Sequence, residues 1–185
     1  MGVRKAMGNM ASSLSTWGLR HLAHRPAANM PGKIALKIDP RIIAESMDKI
    51  TEGSIVVVGT NGKTTITNMI ADALERQGKS IACNRTGANL AYGVATTLLQ
   101  TKGTVEWGVF ESDELWLAHT LPQVQADYVL LLNLFRDQLD RCGEIDRVQD
   151  AIATALEQSP NTTLLYNADD PLCTCLLYTS DAADD

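Results

Sequence analysis

The chain has 185 residues, of which 45% are hydrophobic and 21% charged, a composition typical of a soluble globular protein rather than a disordered one. Sixteen basic residues against 22 acidic ones give a net charge of -6, which argues against a nucleic-acid binder that works by neutralising phosphates. No stretch approaches the roughly 18 apolar residues of a transmembrane segment. A small anionic ligand in a local pocket remains compatible with this composition.

Residues 1–50 are predicted to form a helical lead-in segment. Residues 1–35 contain five basic side chains and no acidic one. This pattern leaves two interpretations open, a transit peptide or membrane-touching helix and a basic helix that packs on its own domain. The stretch RPAANMPGKIALKIDP, residues 25–40, has three prolines and a glycine and is predicted to be a connector, followed by a short helix over about residues 41–50.

The cysteines do not have the spacing of a disulfide framework or of a zinc site. Cys173 and Cys175 form C-x-C, and neither a second close pair nor a neighbouring histidine completes a ligand set. Cys83 and Cys142 stand alone. We therefore expect a reducing compartment and a cytoplasmic protein, for which contact with the membrane surface stays open.

Strand and helix patterns alternate from residue 54 onward. Two helices are predicted from apolar spacing, one with Ile66, Met69, Ile70, Ala73 and Leu74 on its buried face, and one with Val148, Ala151, Ile152, Ala155 and Leu156. The alternation predicts a three-layer α/β domain with a mostly parallel sheet, whose ligands bind beyond the carboxyl ends of the strands. The five predicted strands are residues 54–58, 80–83, 105–110, 128–132 and 163–166.

The sequence GTNGKTT follows the first predicted strand and opens a helix. Gly59 and Gly62 allow the backbone to curl, so that unpaired N–H groups of the helix start point at one anion. Lys63 adds a positive charge for β and γ phosphates, and Thr64 offers a hydroxyl to Mg²⁺. Val57 stands where the usual phosphate-binding loop has its first glycine. The pattern still predicts an ATP-binding loop formed by Gly59, Thr60, Asn61, Gly62, Lys63, Thr64 and Thr65.

Polar residues follow three further strands at the same predicted sheet edge. Glu111 ends a buried strand, where an acid is costly unless it meets a cation; a helix-capping or solvated acid is the alternative. Asn133 follows the fourth strand and could contact phosphate or a metal-bound water. Asn167 and Asp169 follow the fifth strand and could contact adenine or ribose, with a plain Asx turn as the alternative.

Four segments together are similar to the Mur ligase superfamily, whose members activate a carboxylate as an acyl phosphate and then form an amide. The resemblance covers roughly residues 13–172, with 51–172 as an ATP-binding central domain that is truncated. Residues 173–185, which end in a small and acidic run, are expected to be a non-native tail that supplies neither another strand nor a cap. The four segments are GTNGKTT (59–65), VFESDE (109–114), LNLFRDQLDRCGEID (132–146) and LYNADDP (165–171).

The segments are most similar to the branch of this family that provides the ligase subunit of lipid II isoglutaminyl synthases. The resemblance implies that Lys63 and Glu111 are catalytic and that Thr64 and Glu111 hold Mg²⁺. It further implies that ATP activates the D-glutamate α-carboxylate of lipid II and that ammonia converts it to D-isoglutamine. The implied partners are a GatD-like glutaminase subunit and lipid II at the inner membrane face, and Zn²⁺ is implied only downstream of these residues.

Two positions depart from the ligases that use UDP-linked substrates. Gln138 replaces a metal-binding histidine, and Ile152, nine residues after Gly143, replaces a carbamylated lysine. Both departures leave a second metal site open. The charged residues of FRDQLDR, namely Arg136, Asp137, Asp140 and Arg141, are either functional or a salt-bridged turn.

Two other functions stay open. A folylpolyglutamate-synthase-like ligase would read closer to GTNGKG, whereas a non-catalytic P-loop module would bind ATP without forming an amide. The stretch RTGANLAYG, residues 85–93, resembles a family turn that lines the substrate side.

Overall fold

A computed structural model of the protein describes residues 29–135 and 144–181. Strands and helices alternate along both described ranges. In chain order the elements are α1 (Met30–Ile38), α2 (Ile42–Ser46), a short 3-10 helix (Met47–Lys49), β1 (Ile50–Val58), α3 (Lys63–Arg76), β2 (Ile81–Cys83), α4 (Ala91–Gln100), β3 (Val105–Glu111), α5 (Leu117–Val124), β4 (Tyr128–Leu131), α6 (Glu144–Glu157), β5 (Thr163–Tyr166) and α7 (Pro171–Asp181).

The five strands form one sheet in the order β2-β3-β1-β4-β5, and every neighbouring pair is parallel. Val57 pairs with Glu111 and Val58 with Leu131, which in turn pairs with Tyr166. The carboxyl ends of β1, β3, β4 and β5 therefore meet at one sheet edge. All five predicted strands are confirmed, although β1 begins at Ile50 rather than Ser54.

Helices cover both faces of the sheet. Val56, Val58 and Phe110 are fully buried in a core shared with residues of α1, α2, α4, α5 and α6. Successive residues of a strand point to opposite faces, so Val57 and Val109, which are also fully buried, face the other side. Helix α3 contacts β1, β2 and β3. This arrangement confirms the predicted three-layer α/β fold.

The connector predicted for residues 25–40 was wrong where the structure describes it, because α1 occupies Met30–Ile38. Pro31 lies in the first turn of α1, where a missing N–H costs the helix nothing. Gly32 lies against α4: a Cβ there would be 1.9 Å from the carbonyl oxygen of Tyr92. The proline and glycine therefore start the helix and allow its close packing. The short helix expected after Pro40 is present as α2 and the 3-10 turn.

The buried face predicted for α3 was partly wrong. Met69 is 60% exposed and Ala73 is exposed, whereas Thr67 and Ala71 are buried. Small residues face the sheet, so the helix lies close to it. The face predicted for α6 is confirmed, since Ile152 and Ala155 are fully buried.

The segment of residues 173–185, for which neither another strand nor a cap was expected, contains part of a helix. Helix α7 continues to Asp181, and Cys173 and Leu176 are buried in the core. That this segment is non-native, and that residues 51–172 form one unit, stay predictions. The first 28 residues, including the basic lead-in, lie outside the described ranges. Among the described residues, no helix combines the length and the apolar character needed to cross a membrane.

Candidate functional site

The loop from Gly59 to Gly62 joins the end of β1 to the start of α3 at the carboxyl edge of the sheet. Gly59 has φ 142° and Gly62 has φ 85°, both in the region that favours glycine. A Cβ on Gly59 would also lie 3.0 Å from the carbonyl oxygen of Asn133. The two glycines are therefore required by the path of the loop, which directs the free N–H groups of α3 toward the sheet edge.

Lys63 is the first residue of α3, and its side chain folds back over the loop. Its Nζ lies 2.5 Å from the carbonyl oxygen of Gly59 and 3.3 Å from that of Thr60. Glu114 Oε1 lies 3.5 Å away on another side. The ammonium group is thus held at the mouth of the loop, with only 12% of the Lys63 side chain exposed.

Thr64 and Glu111 are joined across the sheet edge. The Thr64 hydroxyl donates to Glu111 Oε2 at 2.7 Å, and Glu111 is only 2% exposed. Asn84 fixes the main chain of Glu111: its Oδ1 accepts from the Glu111 N–H at 2.8 Å, and its Nδ2 donates to the Glu111 carbonyl at 2.9 Å. In the described ranges, no cation lies within ion-pair distance of this buried carboxylate. A buried carboxylate without a cation is costly, so the site favours a positive ion.

Gly87 lies close beside these two side chains. A Cβ there would lie 3.2 Å from Thr64 Oγ1 and 3.9 Å from Glu111 Oε2. A hydroxyl and a carboxylate are oxygen ligands of the kind that Mg²⁺ prefers, and Mg²⁺ commonly keeps several waters and phosphate oxygens as its other ligands. The described part of the chain contains no cluster of three or more His, Cys, Asp or Glu that could hold a metal. Thr64 and Glu111 therefore fit Mg²⁺ as a minimal protein ligand pair.

Asn133 contacts the loop rather than open space. Its Oδ1 accepts from the Asn61 N–H at 2.9 Å, and its Nδ2 donates to the Asn61 carbonyl at 3.0 Å. The Thr60 N–H donates to the Asn133 carbonyl, and Thr60 Oγ1 accepts from the Phe135 N–H at 3.1 Å. These contacts fix the loop against the end of β4. Thr65 is exposed in the first turn of α3.

Asn167 and Asp169 follow β5 at the same sheet edge, beyond β4, and both are exposed. Asn167 Oδ1 accepts from the Asp169 N–H at 3.1 Å, which is the Asx turn held open as an alternative. The turn leaves the Asp169 carboxylate facing solvent.

Three residues that shape the site were not predicted from the sequence. Glu114 and Asn84 have no local signal, since their partners are distant in the chain. Asp170 is 9% exposed, and its carboxylate accepts from the N–H groups of Leu134, Leu172 and Cys173. The dipeptide Asp170-Pro171 is a helix-start signal that could have revealed the cap of α7.

Cys83 lies at the end of β2 with its side chain half-buried. Burial raises the pKa of its thiol to about 11, so the thiol is protonated at neutral pH. The charged segment of residues 136–143, with Gln138, Asp137 and Asp140, lies outside the described ranges. Ile152, which stands where a carbamylated lysine was considered, is fully buried in the core.

The geometry defines a class of protein: a parallel three-layer α/β domain that carries a glycine turn, a lysine and a buried glutamate at one sheet edge. The Mur ligase middle domain family matches residues 57–183. The chain therefore belongs to the Mur ligase family.

Two curated relatives align with most of this chain. It is 35% identical over 175 residues to the lipid II isoglutaminyl synthase (glutamine-hydrolyzing) subunit MurT of Streptococcus pneumoniae, which covers 93% of this chain and 38% of the relative. It is 37% identical over 157 residues to the MurT subunit of Staphylococcus aureus, covering 83% of this chain and 35% of the relative. The chain thus spans little more than a third of the length of these relatives.

Solved structures of Mur ligases share the fold. MurF from Acinetobacter baumannii superimposes with a TM-score of 0.66 at 20% identity, covering 81% of this chain and 33% of that chain. MurF from Thermotoga maritima in complex with ADP gives a TM-score of 0.62 at 21% identity, covering 76% and 33%. Both likenesses concern the fold.

Proposed function

We propose that this chain supplies the ATP-binding part of the ligase subunit of a lipid II isoglutaminyl synthase. The names of the two curated relatives support the enzyme class, and the fold likeness to a MurF structure in complex with ADP supports the nucleotide. One observation carries the proposal: the Lys63 ammonium, the start of α3 and the Thr64–Glu111 pair lie at one sheet edge. A polyphosphate with a divalent cation is the ligand that this combination suits.

In this proposal the loop residues hold the phosphates of ATP. The N–H groups of Gly62, Lys63, Thr64 and Thr65 surround the terminal phosphates, while Thr60 and Asn61 keep the loop closed against Asn133. The Lys63 ammonium offsets negative charge on the β and γ phosphates as it builds up during transfer. Asn167 and Asp169 contact the adenine or ribose from the far end of the sheet edge. Gly59 allows the close passage of the backbone beside β4.

Thr64 and Glu111 would hold Mg²⁺, which when bound supplies charge neutralisation on the phosphates. Glu111 contributes a negative charge, and Asn84 holds the main chain of Glu111 through two hydrogen bonds. Lys63 and Glu111 are the proposed catalytic residues, since both would face the transferred phosphate. Positioning and charge neutralisation then account for most of the rate.

The proposed reaction has two balanced steps. The D-glutamate α-carboxylate of lipid II attacks the γ phosphorus, the bond to the bridging oxygen breaks, and ADP leaves. Ammonia then attacks the acyl phosphate carbon, a proton is lost from nitrogen, phosphate leaves, and the amide of D-isoglutamine forms. We propose that the ammonia comes from a GatD-like glutaminase subunit, which agrees with the description of the relatives as glutamine-hydrolyzing. Zn²⁺ is proposed only for regions beyond these residues.

The test is amidation of lipid II by the full-length protein with its glutaminase partner. Lys63→Ala should abolish ATP-dependent formation of the D-isoglutamine product, measured by mass spectrometry of the stem peptide. Lys102→Ala removes the same charge from an exposed position after α4 and should leave the yield unchanged. An unchanged yield in the Lys63 variant would refute the role given to this lysine. ATP binding without amide formation in the intact wild-type complex would instead favour a non-catalytic ATP-binding module.

A further inference from the structure

Glu114 faces Lys63 from the segment between β3 and α5. Its Oε1 lies 3.5 Å from Lys63 Nζ, and only 13% of the Glu114 side chain is exposed, against 12% for Lys63. The other acid near the loop, Glu111, is engaged differently, since its carboxylate accepts from Thr64. Glu114 is therefore the acidic partner of the loop lysine.

The ammonium group of Lys63 has three N–H donors, and its surroundings account for all of them. Two are directed to the carbonyl oxygens of Gly59 and Thr60, which belong to the loop itself. Glu114 Oε1 takes the third. A phosphate that approaches Lys63 therefore meets an ammonium group whose remaining donor already faces a carboxylate.

We propose that the Glu114 carboxylate occupies the place of a nucleotide phosphate on Lys63 and lowers the affinity of the loop for nucleotide until it moves aside. This inference rests on the proposed function, because it assigns a competitor to the same phosphate site. A phosphate oxygen and a carboxylate on one ammonium group are like charges within a few ångströms of each other. Both side chains are mostly buried, so salt screens this repulsion less than it would at an exposed surface.

The Glu114 carboxylate is able to move away from Lys63. Glu114 lies in a turn that precedes α5, and its side chain has three rotatable bonds with which to swing away from Lys63. Its neighbour Leu115 is 42% exposed, so this segment lies at the protein surface. Glu114 thus sets the nucleotide affinity of the loop without being a catalytic residue.

The test is ADP binding by calorimetry on the full chain in Mg²⁺-free buffer with a chelator, so that the phosphates meet Lys63 without a metal. Glu114→Gln keeps the shape of the side chain and removes its charge, and should bind ADP about tenfold more tightly than wild type. Asp113→Asn is the matched control. It removes one charge from the adjacent residue, whose carboxylate accepts from the Leu115 N–H, and should change the affinity less than twofold.

Glu114→Asp keeps the charge but shortens the reach, and should give an affinity between those of wild type and Glu114→Gln. If Glu114→Gln no longer unfolds in a cooperative thermal transition, the ADP affinity of Glu114→Asp tests the proposal in its place. Wild-type protein that binds ADP with the same or higher affinity than the Glu114 variants would overturn the competitor role alone. Wild-type protein that does not bind ADP at all would overturn this inference together with the proposed function.

Discussion

The Thr64 hydroxyl donates a 2.7 Å hydrogen bond to the buried carboxylate of Glu111, and this contact joins the first turn of α3 to the end of β3. The two residues are 47 positions apart in the chain. Asn84 also holds the main chain of Glu111 through two hydrogen bonds. The hydroxyl and the carboxylate are therefore held together as a pair at this edge of the sheet.

Thr64→Val should destabilise the nucleotide-free protein by about 1–3 kcal/mol. The variant keeps the shape of the side chain but removes the donor and leaves a buried carboxylate oxygen unsatisfied. The free energy of unfolding, measured by urea denaturation, is the readout. Thr65→Val is the control: Thr65 is exposed in the same helical turn, as Thr64 is, but the hydrogen bond to Glu111 comes from Thr64. This variant should change stability by less than about 0.5 kcal/mol. Equal stability of the two variants would show that the Thr64–Glu111 bond contributes nothing.

Gly87→Ala should weaken Mg²⁺-dependent nucleotide binding, because the new methyl group would enter the space 3.2 Å from Thr64 Oγ1. Gly87 also has φ 73°, so part of any effect would come from backbone strain. Gly103→Ala is the matched control: its φ is 67° and a Cβ there meets no atom within 4 Å. Both variants should lose similar stability, about 1 kcal/mol, but only Gly87→Ala should bind Mg-ATP less tightly. Calorimetry that finds the same affinity for both would show that the space beside Thr64 is not used.

Glu106 should make folding stability depend on pH in the acid range. The Ser80 N–H, then Lys79 and the Ser80 hydroxyl, lower the pKa of its carboxyl from 4.5 to about 2. A carboxyl with a lowered pKa in the folded state stabilises the protein above the unfolded pKa and loses this contribution as pH falls through the folded one. The stability difference between wild type and Glu106→Gln should therefore shrink between pH 4.5 and pH 2. Urea denaturation across this range is the measurement, and a constant difference would contradict the assignment.

Cys83 should react slowly with iodoacetamide in the folded protein. Burial raises the pKa of its thiol from 9.0 to about 11, so the thiolate fraction at pH 8 falls by about 100-fold. Alkylation of Cys83 at pH 8, followed by mass spectrometry with and without urea, is the measurement. If Cys83 of the folded protein were alkylated as fast as in urea, the thiol would be accessible and readily ionised.

The sheet was predictable from the sequence because each strand is rich in apolar residues and lies between turn residues. The loop was predictable too, since its glycines, Lys63 and Thr64 are adjacent in the chain. Helix α1 was missed because proline and glycine indicate a break locally, whereas Pro31 starts this helix and Gly32 packs against α4. For Gly32 the deciding contact, with Tyr92 of α4, is distant in sequence.

The use of the side chains at the sheet edge was harder to predict. Asn133 was placed at the correct edge, but its amide bonds the main chain of Asn61. Glu114 was missed, yet it faces Lys63. Spacing along the chain indicates which residues reach an edge. It does not indicate which of them bond to each other and which face a ligand.

Calorimetric titration of Mg-ATP into the full chain tests the central claim most directly. Wild type should bind one Mg-ATP, Lys63→Ala should bind at least about tenfold more weakly through loss of a charged phosphate contact, and Lys102→Ala should match wild type. Wild-type affinity in the Lys63 variant, or no binding by wild type, would contradict a nucleotide site at this loop.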